Sequence, residues 1–158
     1  VHGEAVYRSP AMFSGYYGDP EATKEALKDN WFHSGDTFAY DDQDQRIMVD
    51  RYKDMVKSGG ENVSSIRVEA VLQQHSSIKR AAVIGIPDDT WGEMVTACVI
   101  LSPGHKLDEA AVIAFSRERL AGFETPKRII AMDSFPETVG AKILKYKLRS
   151  ALTTTAAE

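Results

Sequence analysis

Four short stretches of this sequence gather residue types with a chemical use. His33-Ser34-Gly35-Asp36 places a carboxylate behind a Ser-Gly turn. There it can accept two hydrogen bonds from a vicinal diol such as a ribose, or act as a turn Asp that bonds its own backbone. Asp50-Arg51-Tyr52-Lys53-Asp54 alternates charge, a pattern that suits a solvated strand edge blocking aggregation. Lys57-Ser58-Gly59-Gly60-Glu61-Asn62 sets two glycines together. Such a pair lets backbone approach a ligand and lets amides form an anion nest, or it makes a hairpin turn. The stretch lacks the Gly-Lys-Ser/Thr ending of a Walker A loop. In Pro136-Glu137-Thr138-Val139-Gly140-Ala141-Lys142, the lysine sits on a glycine-containing loop. A long, strongly hydrated cation there suits phosphate, or is simply solvated beside a basic helix. None of the four is specific by itself.

The rest of the inventory narrows the classes. His2, His33, His75 and His105 show no metal-ligand spacing. Cys98 is the single cysteine, so an intramolecular disulfide is ruled out and the residue reads as an inert buried thiol. Apolar residues make up 43% and charged residues 27%, which is ordinary globular composition. The formal charge of −4 carries no basic surplus for nucleic acid. No apolar run reaches the ~20 residues of a transmembrane helix. Val1-His2-Gly3-Glu4 shows neither an initiating Met nor a signal peptide, and the expectation is a chain that begins inside a longer protein.

The elements that must position these residues divide unevenly. Residues 1–50 read as irregular and β-rich: strands at Ala5 to Ser9, Trp31 to Tyr40 and Arg46 to Asp50, with a short helix from Pro20 to Leu27 capped by Asp19. Large apolar residues are too scattered there to offset the ordering entropy with a core of their own. Residues 51–158 are better organised. Val68, Val71 and Leu72 mark the inner face of a helix. Ala81 to Ile86, ended by Pro87, and Met94 to Leu101 are continuous apolar runs that fit strands covered on both faces. Asp108 caps a helix from Glu109 to Leu120, Arg128 to Met132 is a third strand, and Leu144, Leu148 and Leu152 line a final basic helix. The end, Thr153 to Glu158, reads as frayed. The expected fold is α+β, with a small mixed sheet flanked by helices and a boundary in Asp50 to Asp54.

In order along the chain, these motifs resemble the C-terminal portion of the adenylate-forming superfamily of acyl-CoA synthetases, luciferases and nonribosomal-peptide adenylation domains. Those that carry the resemblance include Gly15-Tyr16-Tyr17, Pro20-Glu21-Ala22-Thr23, Trp31-Phe32-His33-Ser34-Gly35-Asp36 and Asp50-Arg51-Tyr52-Lys53-Asp54. Ser58-Gly59-Gly60-Glu61-Asn62-Val63, Ile86-Pro87-Asp88, Trp91-Gly92-Glu93, Pro126-Lys127-Arg128 and Lys142-Ile143-Leu144-Lys145 complete the series. It reaches to about Leu152. The resemblance implies that residues 1–50 are the end of a large N-terminal AMP-binding domain and 51–158 a mobile C-terminal lid.

The implied reaction joins a carboxylic acid to ATP, giving acyl-adenylate and pyrophosphate, and then passes the acyl group to the thiol of coenzyme A. By this resemblance Lys142 is the catalytic residue, reaching the carboxylate and α-phosphate. Asp36 and Arg51 hold the ribose, Lys53 is the hinge of the lid, and Gly59 and Gly60 flank the pantetheine path. Mg2+ belongs mainly to the absent N-terminal domain, the expected partner, and no metal site falls on these residues. The 158 residues alone are therefore expected to be inactive, and the whole enzyme to be cytoplasmic. A fatty, aryl or small acid is equally compatible. The alternatives are an adenylation enzyme that loads a carrier-protein thiol, and a non-catalytic interaction module with the lid fold. Departures from the family pattern are Ala141 where Gly is usual before the lysine, Asp44-Gln45 for an Asp-Gly turn, and Ser34 for Thr.

Overall fold

The computed structural model describes residues 2–155. They form two compact units that divide between Lys53 and Asp54.

The first unit is a three-stranded antiparallel sheet in the order β1 (His2–Tyr7), β2 (Phe32–Tyr40), β3 (Arg46–Arg51). Helix α1 (Pro20–Ala26) precedes β2, with Pro20 in its first turn and the Asp19 side chain accepting from the Ala22 amide. β1 starts at His2 and ends at Tyr7, shifted from the expected Ala5 to Ser9, because its backbone finds partners from Ala39 to Phe32. β3 runs one residue past Asp50, since Arg51 pairs with Asp36. Its hairpin with β2 turns without glycine: Asp44 takes φ 56°, while Asp41 Oδ1 accepts from the Gln43 and Gln45 amides. Among the described residues of this unit no apolar side chain is buried; Thr37 and Asp50 are.

The second unit is built on a five-stranded mixed sheet. β4 (Val56–Ser58) and β5 (Glu61–Val63) form a hairpin around Gly59-Gly60. Helix α2 (Ser65–Leu72) follows, capped by Ser64. The long strands β6 (Ile78–Asp88) and β7 (Gly92–Leu101) pair antiparallel. Pro87 does not end β6. Lacking an amide N–H, it is tolerated on an edge strand, where it stands opposite Glu93. On its other side β7 meets β4 at Gly92 and, in parallel, β8 (Arg128–Ala131). Helix α3 (Glu109–Arg117) has the expected Asp108 cap but stops before Leu120, and α4 (Lys145–Thr155) closes the order. Leu144 lies just ahead of α4 rather than on it, its carbonyl accepting from Leu148. The expected frayed end is helical through Thr155; Ala156 to Glu158 lie outside the described residues.

Alternation along β6 and β7 sends side chains to both faces of the sheet. Ala81, Val83, Val95, Ala97 and Val99 pack with Val68 and Leu72 of α2 and Val112 of α3. Ala82, Ile84, Ile86 and Cys98 pack with Phe135 and Leu148. Each face is thus covered by helices, which is why these runs are apolar without interruption. The open edge of β6 is also occupied. Glu69 accepts from the Val83 amide at 2.8 Å, and Arg149 Nε donates to the Gly85 carbonyl at 3.2 Å.

Candidate functional site

In the first unit Asp36 stands on β2 directly opposite Arg51 of β3, with Nε 3.6 Å from Oδ1 and both side chains about a third exposed. A bulge presents this carboxylate. Glu4 pairs with Thr37 and Val6 with His33, so β2 carries extra length over Ser34, Gly35 and Asp36. Gly35 supplies the left-handed turn at φ 70°. Polar ties to β1 hold the bulge. Glu4 Oε1 accepts from the Gly35 amide at 3.0 Å, Glu4 Oε2 lies 2.8 Å from His33 Nδ1, and Ser34 Oγ donates to the Ala5 carbonyl at 2.7 Å. The His33 contact holds the Glu4 carboxyl below its ordinary range. Behind the bulge, the Tyr52 amide donates to the Gly35 carbonyl at 2.7 Å. Lys53 is the last residue of the unit.

In the second unit Gly59 and Gly60 take φ 61° and 85° at the tip of the β4–β5 hairpin. The Gly59 amide donates to the Trp91 carbonyl at 2.8 Å, and a Cβ on Gly59 would lie 3.2 Å from the Trp91 ring. Glycine is required here for both its φ and its space. Lys127 Nζ sits 5.2 Å from the centroid of that ring. The flanking Val56 and Val63 anchor the hairpin in the α2/α3-side cluster.

Lys142 occupies a different hairpin. Glu137 bridges Ile143, the Thr138 amide donates to the Lys142 carbonyl, and the Ala141 amide donates to the Thr138 carbonyl, both at 2.9 Å. The three-residue tip, Val139-Gly140-Ala141, ends with Ala141 at φ 59°. The left-handed residue of such a loop is normally glycine; Gly140 is not the residue that takes it. Lys142 itself is exposed. Ile143 and Phe135 anchor this hairpin in the α4-side cluster. The glycine turn and the lysine loop are therefore held through opposite faces of one sheet. Lys145, three residues on, is tied inward: Nζ lies 2.6 Å from Glu69 Oε1 and 2.6 Å from Ser65 Oγ, with both charged side chains mostly buried.

Sequence reasoning singled out Trp91 as an anchoring aromatic and Val68-Glu69 as part of the resemblance, but missed Glu4, which ties down the Asp36 bulge, and Arg80, which holds the Lys142 hairpin. Their partners lie far away in sequence, so no local spacing marks them. Arg80 is ion-paired with Glu137 and lies over the Phe135 ring at 5.4 Å from its centroid. A wide, open hollow runs along α1 from Asp19 to Asp29, and neither Asp36 nor Lys142 lines it. Among the described residues no three His, Cys, Asp or Glu side chains group to hold a metal ion. No helix among them is long and apolar enough to cross a membrane.

Comparison with known proteins adds to this geometry. Residues 67–142 match the AMP-binding enzyme C-terminal domain family. The chain is 47% identical over 148 residues to a 4-hydroxybutyrate–CoA ligase of Metallosphaera sedula, with 94% of this chain and 27% of that protein covered. It is 44% identical to a feruloyl-CoA synthase of Amycolatopsis over 93% of this chain and 30% of that one. An anthranilate CoA ligase solved with anthranoyl-AMP superposes with a TM-score of 0.91 at 30% identity, covering 100% of this chain and 31% of the other. An amide bond synthetase from Marinactinospora thermotolerans gives 0.85 at 36%, covering 97% and 32%. The chain spans less than a third of the length of each.

Proposed function

The chain belongs to the adenylate-forming enzymes, carrying the AMP-binding C-terminal domain, and from that premise we propose that it serves an AMP-forming acyl-CoA synthetase. In this reading residues 1–50 close the large N-terminal domain, the chain's partner, and 51–158 are the mobile lid, with Lys53 as its hinge. The whole enzyme, cytoplasmic where ATP and CoA are supplied, converts a carboxylic acid and ATP to acyl-adenylate and pyrophosphate, then moves the acyl group to the CoA thiol.

The observation that carries the reading is the placement of the two lid motifs. Lys142 is exposed on a loop anchored through one face of the sheet, and Gly59-Gly60 turn on a hairpin anchored through the other. Adenylation brings together a carboxylate and a phosphate. A cation at that point stabilises the charge of the transition state more than that of the ground state. Thiol attack needs an open path instead, for which a turn without side chains is suited. Lys145, engaged by Glu69 and Ser65, is not available for either task. Asp36, about a third exposed on a bulge and flanked by Arg51, would accept hydrogen bonds from ribose hydroxyls in this reading.

The test is made in the full-length enzyme with a panel of carboxylic acids. Lys142→Ala should lower acid-dependent ATP–pyrophosphate exchange by roughly two to three orders of magnitude, yet spare thioester formation from supplied acyl-adenylate. Equal loss of both half-reactions overturns the role of Lys142. The 158 residues alone should show no turnover.

A second reading concerns the acceptor. The likeness to an amide bond synthetase is close to that of the CoA ligases, and nothing in the Gly59-Gly60 turn distinguishes CoA from a carrier-protein thiol or an amine. AMP release on adding CoA, a phosphopantetheinylated carrier or an amine decides among them. An absence of exchange with every acid favours a non-catalytic interaction module.

A further inference from the structure

We propose that Arg80 is a positioning residue for Lys142: it grips the neck of the lysine hairpin from β6 and so fixes where the ammonium points. The proposal rests on the adenylation role given to Lys142 above. Arg80 lies near the start of β6, where its backbone is registered opposite Ile100 in the unit's longest strand pair. Its guanidinium pairs with the Glu137 carboxylate and lies over the Phe135 ring. Phe135 and Glu137 are two residues apart on the incoming arm of the hairpin. In extended chain that spacing puts both on one face, so a single planar cation holds two points of the arm.

Glu137 lies one residue before Thr138, where the hairpin closes on Lys142. Its backbone bridges Ile143, and the Leu144 amide donates to the Pro136 carbonyl at 2.8 Å. A change in the angle of this neck therefore moves Lys142, the residue just inside the bridge. The outgoing arm is braced separately by Lys145 on Glu69 and Ser65. The two braces differ in burial. Lys145 and Glu69 are 12% and 16% exposed, and breaking such a pair destabilises the fold. Arg80 and Glu137 are 38% and 25% exposed, and a partly exposed pair contributes little to stability. Aim and fold are thus separable at Arg80. Because a catalytic group displaced by about 1 Å can lose a hundredfold in rate, the grip matters to the reaction far more than to stability.

The experiment measures both half-reactions in the full-length enzyme for Arg80→Gln, Glu137→Gln and the reversed pair Arg80→Glu with Glu137→Arg, beside Lys142→Ala. Arg80→Gln and Glu137→Gln are expected to lower kcat for ATP–pyrophosphate exchange by roughly ten- to a hundredfold and to leave thioester formation from supplied acyl-adenylate unchanged. The reversed pair should regain most of the exchange. Normal exchange in both single variants, or equal loss of both half-reactions, overturns the proposal, as does a reversed pair no better than the singles. If Lys142→Ala loses exchange while the Arg80 and Glu137 variants do not, the positioning role fails and the function of Lys142 stands. If Lys142→Ala keeps exchange, both fail.

Discussion

The first unit keeps Tyr7, Phe13, Tyr16, Tyr17, Trp31 and Tyr40 at the surface, whereas the second buries apolar side chains on both faces of β6 and β7. Both present candidate functional residues from strands and tight turns, but they secure them differently. Asp36 is placed by polar ties, from Glu4 to His33 and Gly35 and from Ser34 to Ala5. Gly59-Gly60 and Lys142 are placed by hairpins rooted in apolar clusters. Strand pairing with few buried apolar groups does not offset the entropy of ordering. The contrast teaches that the second unit has a core to fold around, whereas the described first unit has none.

The sharpest way to break this comparison is to separate the two. Residues 54–158 alone should unfold in one cooperative thermal transition, and residues 1–53 alone should show none. A cooperative melt of the shorter piece, followed by circular dichroism, would show that a core is not needed there. A smaller effect is expected at Gly59. Gly59→Val forces a β-branched residue to φ 61° and toward the Trp91 ring, which should lower the unfolding free energy read from denaturant melts by about 1–3 kcal/mol. Gly35→Ala, where φ is 70° but nothing lies within 4 Å, should cost the whole chain less. Equal losses would mean that backbone strain alone decides. Ala141→Gly relieves a left-handed alanine and should raise stability by under about 1 kcal/mol, or roughly 2–4 °C in Tm; a lower Tm would contradict the strain.

The smallest effect lies in opposite pH responses. The Glu4 carboxyl, lowered from 4.5 by its hydrogen bond with His33, stabilises the first unit above that value and loses its contribution as the pH falls through the folded pKa. The Cys98 thiol is raised from 9.0 to about 11 by burial, against a smaller opposing effect of Arg128. The folded thiol stays neutral while the unfolded one ionises, so stability of the second unit is unaffected below 9.0 and declines as the pH rises toward 11. Denaturant midpoints across pH, with Glu4→Gln and Cys98→Ala removing the respective slopes, check both signs.

Much of this was readable in the sequence, for reasons that stay local. Asp19 before Pro20 and Asp108 before Glu109 announce helix starts because a cap acts within three residues. Uninterrupted apolar runs announce β6 and β7 because both their faces are covered. Pro87 misled, because whether proline ends a strand depends on which edge its missing donor faces, and that is set by the tertiary pairing. The lysine loop was legible as a loop, but the left-handed turn falls on Ala141 rather than on the adjacent Gly140. Hairpin closure between Thr138 and Lys142 chooses that position, not residue preference. Arg80 and Glu4 carried no signal, since each acts through a partner at least 29 residues away.

The topology also sets the chain-entropy cost of each pairing. β6 and β7 zip outward from one turn, from Asp88 opposite Gly92 to Ile78 opposite Leu101. β8 pairs with β7 across the whole stretch that holds α3, and α4 follows β8 in the chain. Closing the short β6–β7 turn costs little chain entropy, whereas bringing β8 beside β7 closes a much longer loop. The Lys142 hairpin, lying between β8 and α4, closes over a loop as short as the β6–β7 turn, yet its roots Phe135 and Ile143 need the β6–β7 face and Leu148 of α4 to pack against.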